Sequence, residues 1–223
     1  MTPTTQKPNA GDLIEGYSLG HFATNCYIVR APEGDACWIV DASWGAGALV
    51  ERANELGLAP ERLVLTHAHP DHIAGVPEVK AALPDLPVLI HRDEKDWLND
   101  PQKNLSARLG GDELRVGDAD ELLEDGQALT LGTSEWIVLH TPGHSPGGVA
   151  LYCADLGVVI AGDTLFEGSI GRHDFPSSDE QALFASIREK LYALPDDTLV
   201  LPGHGGATTI GREKSSNPFV RPL

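Results

Sequence analysis

The chain has 223 residues, of which 33 are acidic and 16 basic, for a formal net charge of −17 and a sequence pI ≈ 4.7. Nucleic acids and anionic lipid surfaces are held through Lys and Arg, so this balance excludes both as expected partners. A chain this long buries about 70% of its unfolded surface without a disulfide or structural metal; its three cysteines, never in C-x-x-C spacing, imply neither a disulfide framework nor a thiolate zinc site.

Residues 1–12 read as a polar tail with no secretory core, and no apolar run reaches the ~18 residues that span a bilayer. One cytoplasmic domain over residues 1–223 is expected. Runs 25–30 (NCYIVR) and 37–41 (CWIVD) predict two strands joined by a turn at residues 32–35 (PEGD). Leu49, Val50, Ala53 and Leu56 then mark a helical face closed by Gly57, and residues 62–66 (RLVLT) form the next strand. That strand empties into residues 67–72 (HAHPDH), and a helix begins near Val76 with Pro77 in its first turn.

Residues 86–91 predict another strand and Asp93 to Leu98 a helix start; residues 99–119 are irregular, with the charges from Lys103 to Arg115 expected on a solvated face. From Glu121 onward short strands follow: ELLED, ALTLG, WIVLH, GVALY and VVIAG. The spacing Ser178-x-x-Gln181 predicts a capping box for a helix carrying Leu183, Ile187, Leu191 and Leu194. A last strand at residues 198–201 delivers Pro202-Gly203-His204. Strands, helix, strand and site thus occur twice, which two sheets with helices outside would satisfy.

Imidazole nitrogen and carboxylate oxygen are ligands that suit zinc, iron and manganese. Four such groups stand within residues 67–72, a pattern expected by chance about once in a thousand such chains. His144 in HTPGHSPGG, Asp163 in IAGDTLF and His204 in LPGHGG stand at further turns after strands, with glycines that permit close approach. Seven candidate ligands make two ions plausible. Residues two apart in an extended segment point the same way, so His67 and His69 can grip one ion, completed by His144. Asp71 and His72, where the chain turns away, can hold a second with His204, and Asp163 can bridge. Histidines 21, 91 and 140 fit no such pattern and read as core or surface residues.

The set T-H-x-H-x-D-H, T-P-G-H-S-P-G, G-D-T-L-F and P-G-H-G, spread from Asn25 to His204, resembles the metallo-β-lactamase superfamily. Residues 168–176 (GSIGRHDFP) and 213–219 (EKSSNPF) resemble its glyoxalase II-like hydrolases, in the short bacterial form lacking a C-terminal helical domain. The resemblance implies an α/β fold, an αββα sandwich of two mixed sheets with helices on the outer faces. It implies the same ligand division, with one or two divalent ions, zinc first and iron or manganese as alternatives. Thioester hydrolysis by a metal-bound hydroxide beside Asp71 follows from it, with a small anionic thioester such as S-lactoylglutathione as substrate. Arg172 matches a basic position contacting the glutathione portion, while His173 stands where relatives often carry threonine. Asp41, within IVDAS rather than the usual D-P-G turn, remains a candidate for orienting a ligand.

A thiolate departs with little help, since a free thiol has a pKa of about 8.5, whereas an amine must be protonated as it leaves. No general acid stands out in the sequence. The rival readings are a persulfide dioxygenase, holding one iron through His67, His144 and Asp163, and a lactonase. A metal-binding protein without catalysis is a further alternative.

Overall fold

The computed structural model describes residues 10–108 and 113–222. The first sheet contains β1 (Ile14–Leu19), β2 (Thr24–Arg30), β3 (Ala36–Val40), β4 (Ala59–Val64), β5 (Val88–His91) and β6 (Glu121–Leu123), adjacent in that order. Its first pairings are antiparallel, and β3 to β6 run parallel. After β7 (Ala128–Leu131), β8 (Ser134–His140), β9 (Val149–Cys153) and β10 (Val158–Gly162), the chain makes a small hairpin of β11 (Leu165–Phe166) and β12 (Ser169–Ile170). With β13 (Leu199–Pro202) and β14 (Thr208–Thr209), the second sheet is ordered β14-β13-β10-β9-β8-β7.

Successive side chains of a strand face opposite sides of its sheet, so a strand buried on both faces is apolar throughout. In β2, Tyr27 and Val29 enter the layer between the sheets, while Cys26 and Ile28 meet the helices outside. In β10, Val158 and Ile160 face inward, and Val159 and Ala161 face the second helical layer. Trp38 and Trp136 meet across the middle, with ring centroids 6.1 Å apart. The outer layers are α2 (Gly47–Glu55) and α4 (Val76–Ala82) on the first sheet and α5 (Glu180–Ala185) on the second. This is the expected αββα sandwich. No helix among the described residues is long and apolar enough to cross a membrane.

Several local expectations change. Residues 1–9 of the expected tail lie outside the described residues, while Ala10–Leu13 form a helical turn, α1, that buries Ala10 and Leu13. β4 ends at Val64, so His67 and His69 stand on a loop beyond it rather than at a strand end. The N-cap of α5 is Asp179, whose carboxylate accepts from Ala182 N, while Ser178 Oγ donates to His144 O instead. A π-helical stretch, Ser186–Leu191, continues α5. Gly57 closes α2 as expected, at φ +68°.

Cys26, Cys37 and Cys153 are buried and form no disulfide among the described residues. Desolvation pushes the Cys26 thiol up to about 12, reinforced by the Asp41 carboxylate, and pushes Cys37 up to about 12. Reactivity belongs to the thiolate. Neither Cys26 nor Cys37 should therefore be labelled by a thiol reagent at pH 8 until the protein unfolds; rapid labelling of either in the native protein would contradict this packing.

Candidate metal centre

Every candidate ligand lies just beyond the carboxyl end of a strand, where open α/β sheets place their sites. His67 and His69 follow β4, and Asp71 and His72 occupy α3 (Pro70–Ile73), with Pro70 at its start. His144 follows β8, Asp163 follows β10 and His204 follows β13. The sheets are tied together at this end by β2. Thr24 bridges to His204, Asn25 N donates to Gly203 O (2.7 Å), and Tyr27 OH donates to Pro202 O (2.6 Å).

The structure brings all seven side chains together. Three groups could each hold an ion: His67, His69 and His144; His67, His72 and Asp163; Asp71, His72 and His204. Asp163 stands between the first group and the last. Its Oδ2 is 3.5 Å from His144 Nε2 and 3.4 Å from His204 Nε2, and its Oδ1 is 3.4 Å from His72 Nε2. Asp71 Oδ2 lies 3.1 Å from His204 Nε2 and accepts from the buried Thr24 hydroxyl at 2.8 Å. Gly203 makes room for this approach, since a Cβ there would sit 2.1 Å from Asp163 Oδ1.

Which nitrogen each ring presents follows from what anchors the other. Carbonyls and carboxylates only accept, so the Nδ1 facing one carries the hydrogen. His144 Nδ1 donates to Arg172 O (2.8 Å), His204 Nδ1 to Phe22 O (3.2 Å), and His72 Nδ1 to Asp41 Oδ2 (2.8 Å). Thr66 Oγ1 gives its own hydrogen to Asp41 Oδ2, so it accepts from His67 Nδ1 at 3.1 Å. Four rings thus turn Nε2 toward the centre.

His69 differs, with its Nδ1 2.8 Å from His144 Nε2. His144 already carries its hydrogen on Nδ1, so its Nε2 offers only a lone pair. Burial keeps His69 well below the usual histidine range, helped by His144. Nε2 of His67 and His72 and Oδ1 of Asp163 are buried without a hydrogen-bond partner. Polar atoms left this way cost roughly 1–3 kcal/mol each, and a divalent ion would satisfy them. The donor set therefore fits one or two such ions.

The charges alternate around the centre. Burial pushes His67 and His144 down. Burial also opposes ionisation of Asp163, but His72 and His204 hold it well below the usual carboxylate range. Asp71 falls to about 2 because His72 and His204 outweigh its desolvation. Desolvation lowers His72, yet Asp71, Asp41 and Asp163 together raise it.

The supporting residues include three that sequence reasoning missed: Thr24, Thr66 and Glu94. Asp41 was expected, and its carboxylate gathers Thr66 N (2.7 Å), Thr66 Oγ1 and His72. Glu94 is fully buried and accepts from Ala68 N (2.5 Å), between His67 and His69, and from Gly147 N (2.7 Å), beyond His144. One carboxylate thus fixes both loops of the three-histidine group. Glu94→Gln keeps the size but turns an NH₂ toward one buried N–H. It should cost roughly 1–3 kcal/mol of stability, read as a lowered thermal midpoint of the metal-loaded protein; an unchanged midpoint would deny Glu94 this role.

Over the centre lies a pocket of about 330 Å³, walled by Phe22, Leu105, Phe166 and Phe175, with Arg108 and Arg172 also lining it. The described charges of the run from Lys103 to Arg115 are exposed, as expected, and Arg108 among them also borders the pocket; Leu109 to Asp112 of that run lie outside the described residues. The 213–219 motif also finds a use on α6 (Ile210–Ser216). Glu213 Oε2 accepts from Gly168 N (3.0 Å), and Asn217 Nδ2 donates to Ser169 O (3.0 Å), pinning the hairpin that carries Phe166 into the pocket.

His173 is absent from the lining, and its Nδ1 lies 3.4 Å from Gly171 O. His21 is exposed. His91 and His140 stack with centroids 4.0 Å apart and Asp93 beside them, a further group that could hold an ion. Their planes are 13° apart and His140 Nε2 donates to Pro146 O, so their lone pairs do not converge.

The sequence model of the metallo-beta-lactamase superfamily matches residues 19–204. A probable metallo-hydrolase of Bacillus subtilis, YqgX, is 41% identical over 202 residues, covering 91% of this chain and 94% of the relative. The hydroxyacylglutathione hydrolase GloC of Haemophilus influenzae is 37% identical, covering 93% and 97%. Among solved structures, the BLEG-1 B3 metallo-beta-lactamase superposes with a TM-score of 0.88 at 41% identity, over 93% of this chain and 99% of that one. A di-iron-bound form of TTHA1623 gives a TM-score of 0.82 at 39% identity, over 92% and 100%.

Proposed function

From its membership of the metallo-beta-lactamase superfamily, which makes the chain a metal-dependent hydrolase, we propose that it cleaves a small thioester of the acyl-glutathione type. His67, His69 and His144 would hold one ion and Asp71, His72 and His204 a second, with Asp163 shared. Zinc is the ion proposed, and iron or manganese suit the same donors. Such ions polarise a carbonyl and acidify water near neutral pH. The observation that carries the reading is a cluster of ligand side chains, with buried, unpartnered atoms on His67, His72 and Asp163, whose members His69, Asp71, His144, Asp163 and His204 open into an apolar pocket.

The residues of the chain divide the remaining work. Asp71 stays ionised and is oriented by Thr24, so it can take the proton of the attacking water. Phe22, Phe166 and Phe175 exclude bulk water and pack against the substrate. Arg172 stands at the wall with its guanidinium over the Phe175 ring. Apart from candidate ligands and two arginines, the pocket lining contains no titratable side chain among the described residues. A leaving thiolate needs no acid, whereas a leaving amine does.

That difference favours a thioester over a β-lactam, the second reading, which rests on likeness to a B3 metallo-beta-lactamase. The relative described as a hydroxyacylglutathione hydrolase supports the first reading. The test is to purify the protein with its native metals, quantify them, and compare four reactions in one buffer: S-lactoylglutathione hydrolysis, β-lactam opening, lactone opening and oxidation of glutathione persulfide. Thioester hydrolysis should dominate. A faster β-lactam or lactone reaction, or oxygen uptake with one iron per chain, would overturn the assignment.

A further inference from the structure

The two arginines of the pocket are not equivalent. Arg172 donates through Nε and Nη2 to the two oxygens of Asp174, both at 2.9 Å, and its guanidinium lies 4.3 Å from the Phe175 ring centroid. Its fork is filled and its charge is offset by an adjacent carboxylate. Arg108, exposed at the rim of the pocket, has no ion-pair or hydrogen-bond partner for its side chain among the described residues, in a chain of net charge −17. An uncompensated guanidinium lining a pocket is what bidentate recognition of an oxyanion needs.

The segment bearing Arg108 is built to hold it there. Asn104 is fully buried, donates to Trp97 O (2.9 Å) and Leu114 O (3.1 Å), and accepts from Ser106 N (3.0 Å). Ser106 Oγ accepts from Leu114 N (2.9 Å). Between these anchors Leu105 is held at φ +70°, a conformation a leucine rarely takes, and its buried side chain forms part of the pocket wall. Non-glycine residues held this way cluster at ligand clamps. The Ser106–Arg108 turn follows directly, closed by Arg108 N donating to Leu105 O (3.0 Å).

We propose that Arg108, rather than Arg172, is the specificity-determining anion contact, and that the substrate carries a carboxylate remote from its scissile carbonyl. The carbonyl lies over the ligand cluster, an apolar portion lies against the phenylalanines, and the carboxylate pairs with Arg108. That a hydrolysable carbonyl occupies the pocket rests on the reading above. A phosphate offers the same oxyanion chemistry; the carboxylate is the source proposed, and the coenzyme A ester below distinguishes the two.

The experiment uses the full-length, metal-loaded protein as wild type, Arg108→Gln, Arg108→Lys and Arg172→Gln. Rates are measured with S-lactoylglutathione, acetyl-coenzyme A and the neutral ester S-acetyl-N-acetylcysteamine, and the dissociation constant of the non-hydrolysable S-hexylglutathione is measured alongside. Arg108→Gln should raise the S-lactoylglutathione KM and the probe Kd at least about tenfold, as loss of a charged hydrogen bond does. Its kcat should stay within about twofold and the neutral ester should be unaffected. Arg108→Lys should recover part of the loss, and Arg172→Gln should cost less than Arg108→Gln.

An equal rise for the neutral ester, no rise at all, or a larger effect at Arg172 would overturn the proposal, and preference for the coenzyme A ester would overturn the carboxylate. A wild type that hydrolyses no thioester refutes the thioester reading, while the probe still decides this one: Arg108-dependent binding sustains it, and binding that is absent or indifferent to Arg108 ends it.

Discussion

Replacing His69 by alanine is expected to lower thioester hydrolysis by at least about a thousandfold, equivalent to about 4 kcal/mol of transition-state stabilisation, while the variant still folds. The side chain faces His144 at 2.8 Å and lines the pocket, so its loss opens one ion's coordination on the substrate side. Folding survives for a separate reason. Burial keeps His69 neutral, so its removal strands no buried charge, and Glu94 still holds the loop through Ala68 N. Steady-state rates and far-ultraviolet circular dichroism on the same metal-loaded preparation check both halves. Unchanged turnover in this variant would reject the assignment of the centre.

The second large effect is expected from Asp41→Asn. Asp41 is 1% exposed and sits at φ 60°, a left-handed conformation that Asp and Asn tolerate better than other side chains. Asparagine therefore keeps the backbone and the volume and changes the chemistry alone. Three donors converge on this carboxylate: Thr66 N on Oδ1, and Thr66 Oγ1 and His72 Nδ1 on Oδ2. An amide must turn its NH₂ either toward Thr66 N or toward both Thr66 Oγ1 and His72 Nδ1. In the second case the His72 ring no longer presents Nε2 with its lone pair free. Loss of such an orienting partner costs about 10- to 100-fold in metal affinity or activity. Metal titration of the variant should show one site weakened by that factor and the site with His69 and His144 less affected; equal weakening of both, or of neither, would contradict the division.

How much of this was readable beforehand depended on how local each signal was. The strands buried on both faces and the α2 helix followed from short-range periodicity, and Gly57 punctuated the helix as its positive φ requires. The ligands were legible because four of them fall within residues 67–72 and the others follow strands at glycine-rich turns. The pocket wall was not. Asn104 and Ser106 fix its loop through Trp97 and Leu114, which no periodicity announces, and Arg108 looked like any surface charge. Glu94 resembled an ordinary residue of a charged helix start until its two backbone donors, Ala68 and Gly147, came together in space. Ser178 had the spacing of a helix cap, but a tertiary acceptor, His144 O, took its hydroxyl and left the cap to Asp179.

Anomalous diffraction from crystals of the metal-loaded protein, collected across the absorption edge of the metal it contains, is the most direct test of the centre. Two peaks are expected, one enclosed by His67, His69 and His144, the other by Asp71, His72 and His204, with the Asp163 carboxylate reaching both. A fully loaded protein whose only peaks lie elsewhere, for instance beside His91, Asp93 and His140, would contradict the account.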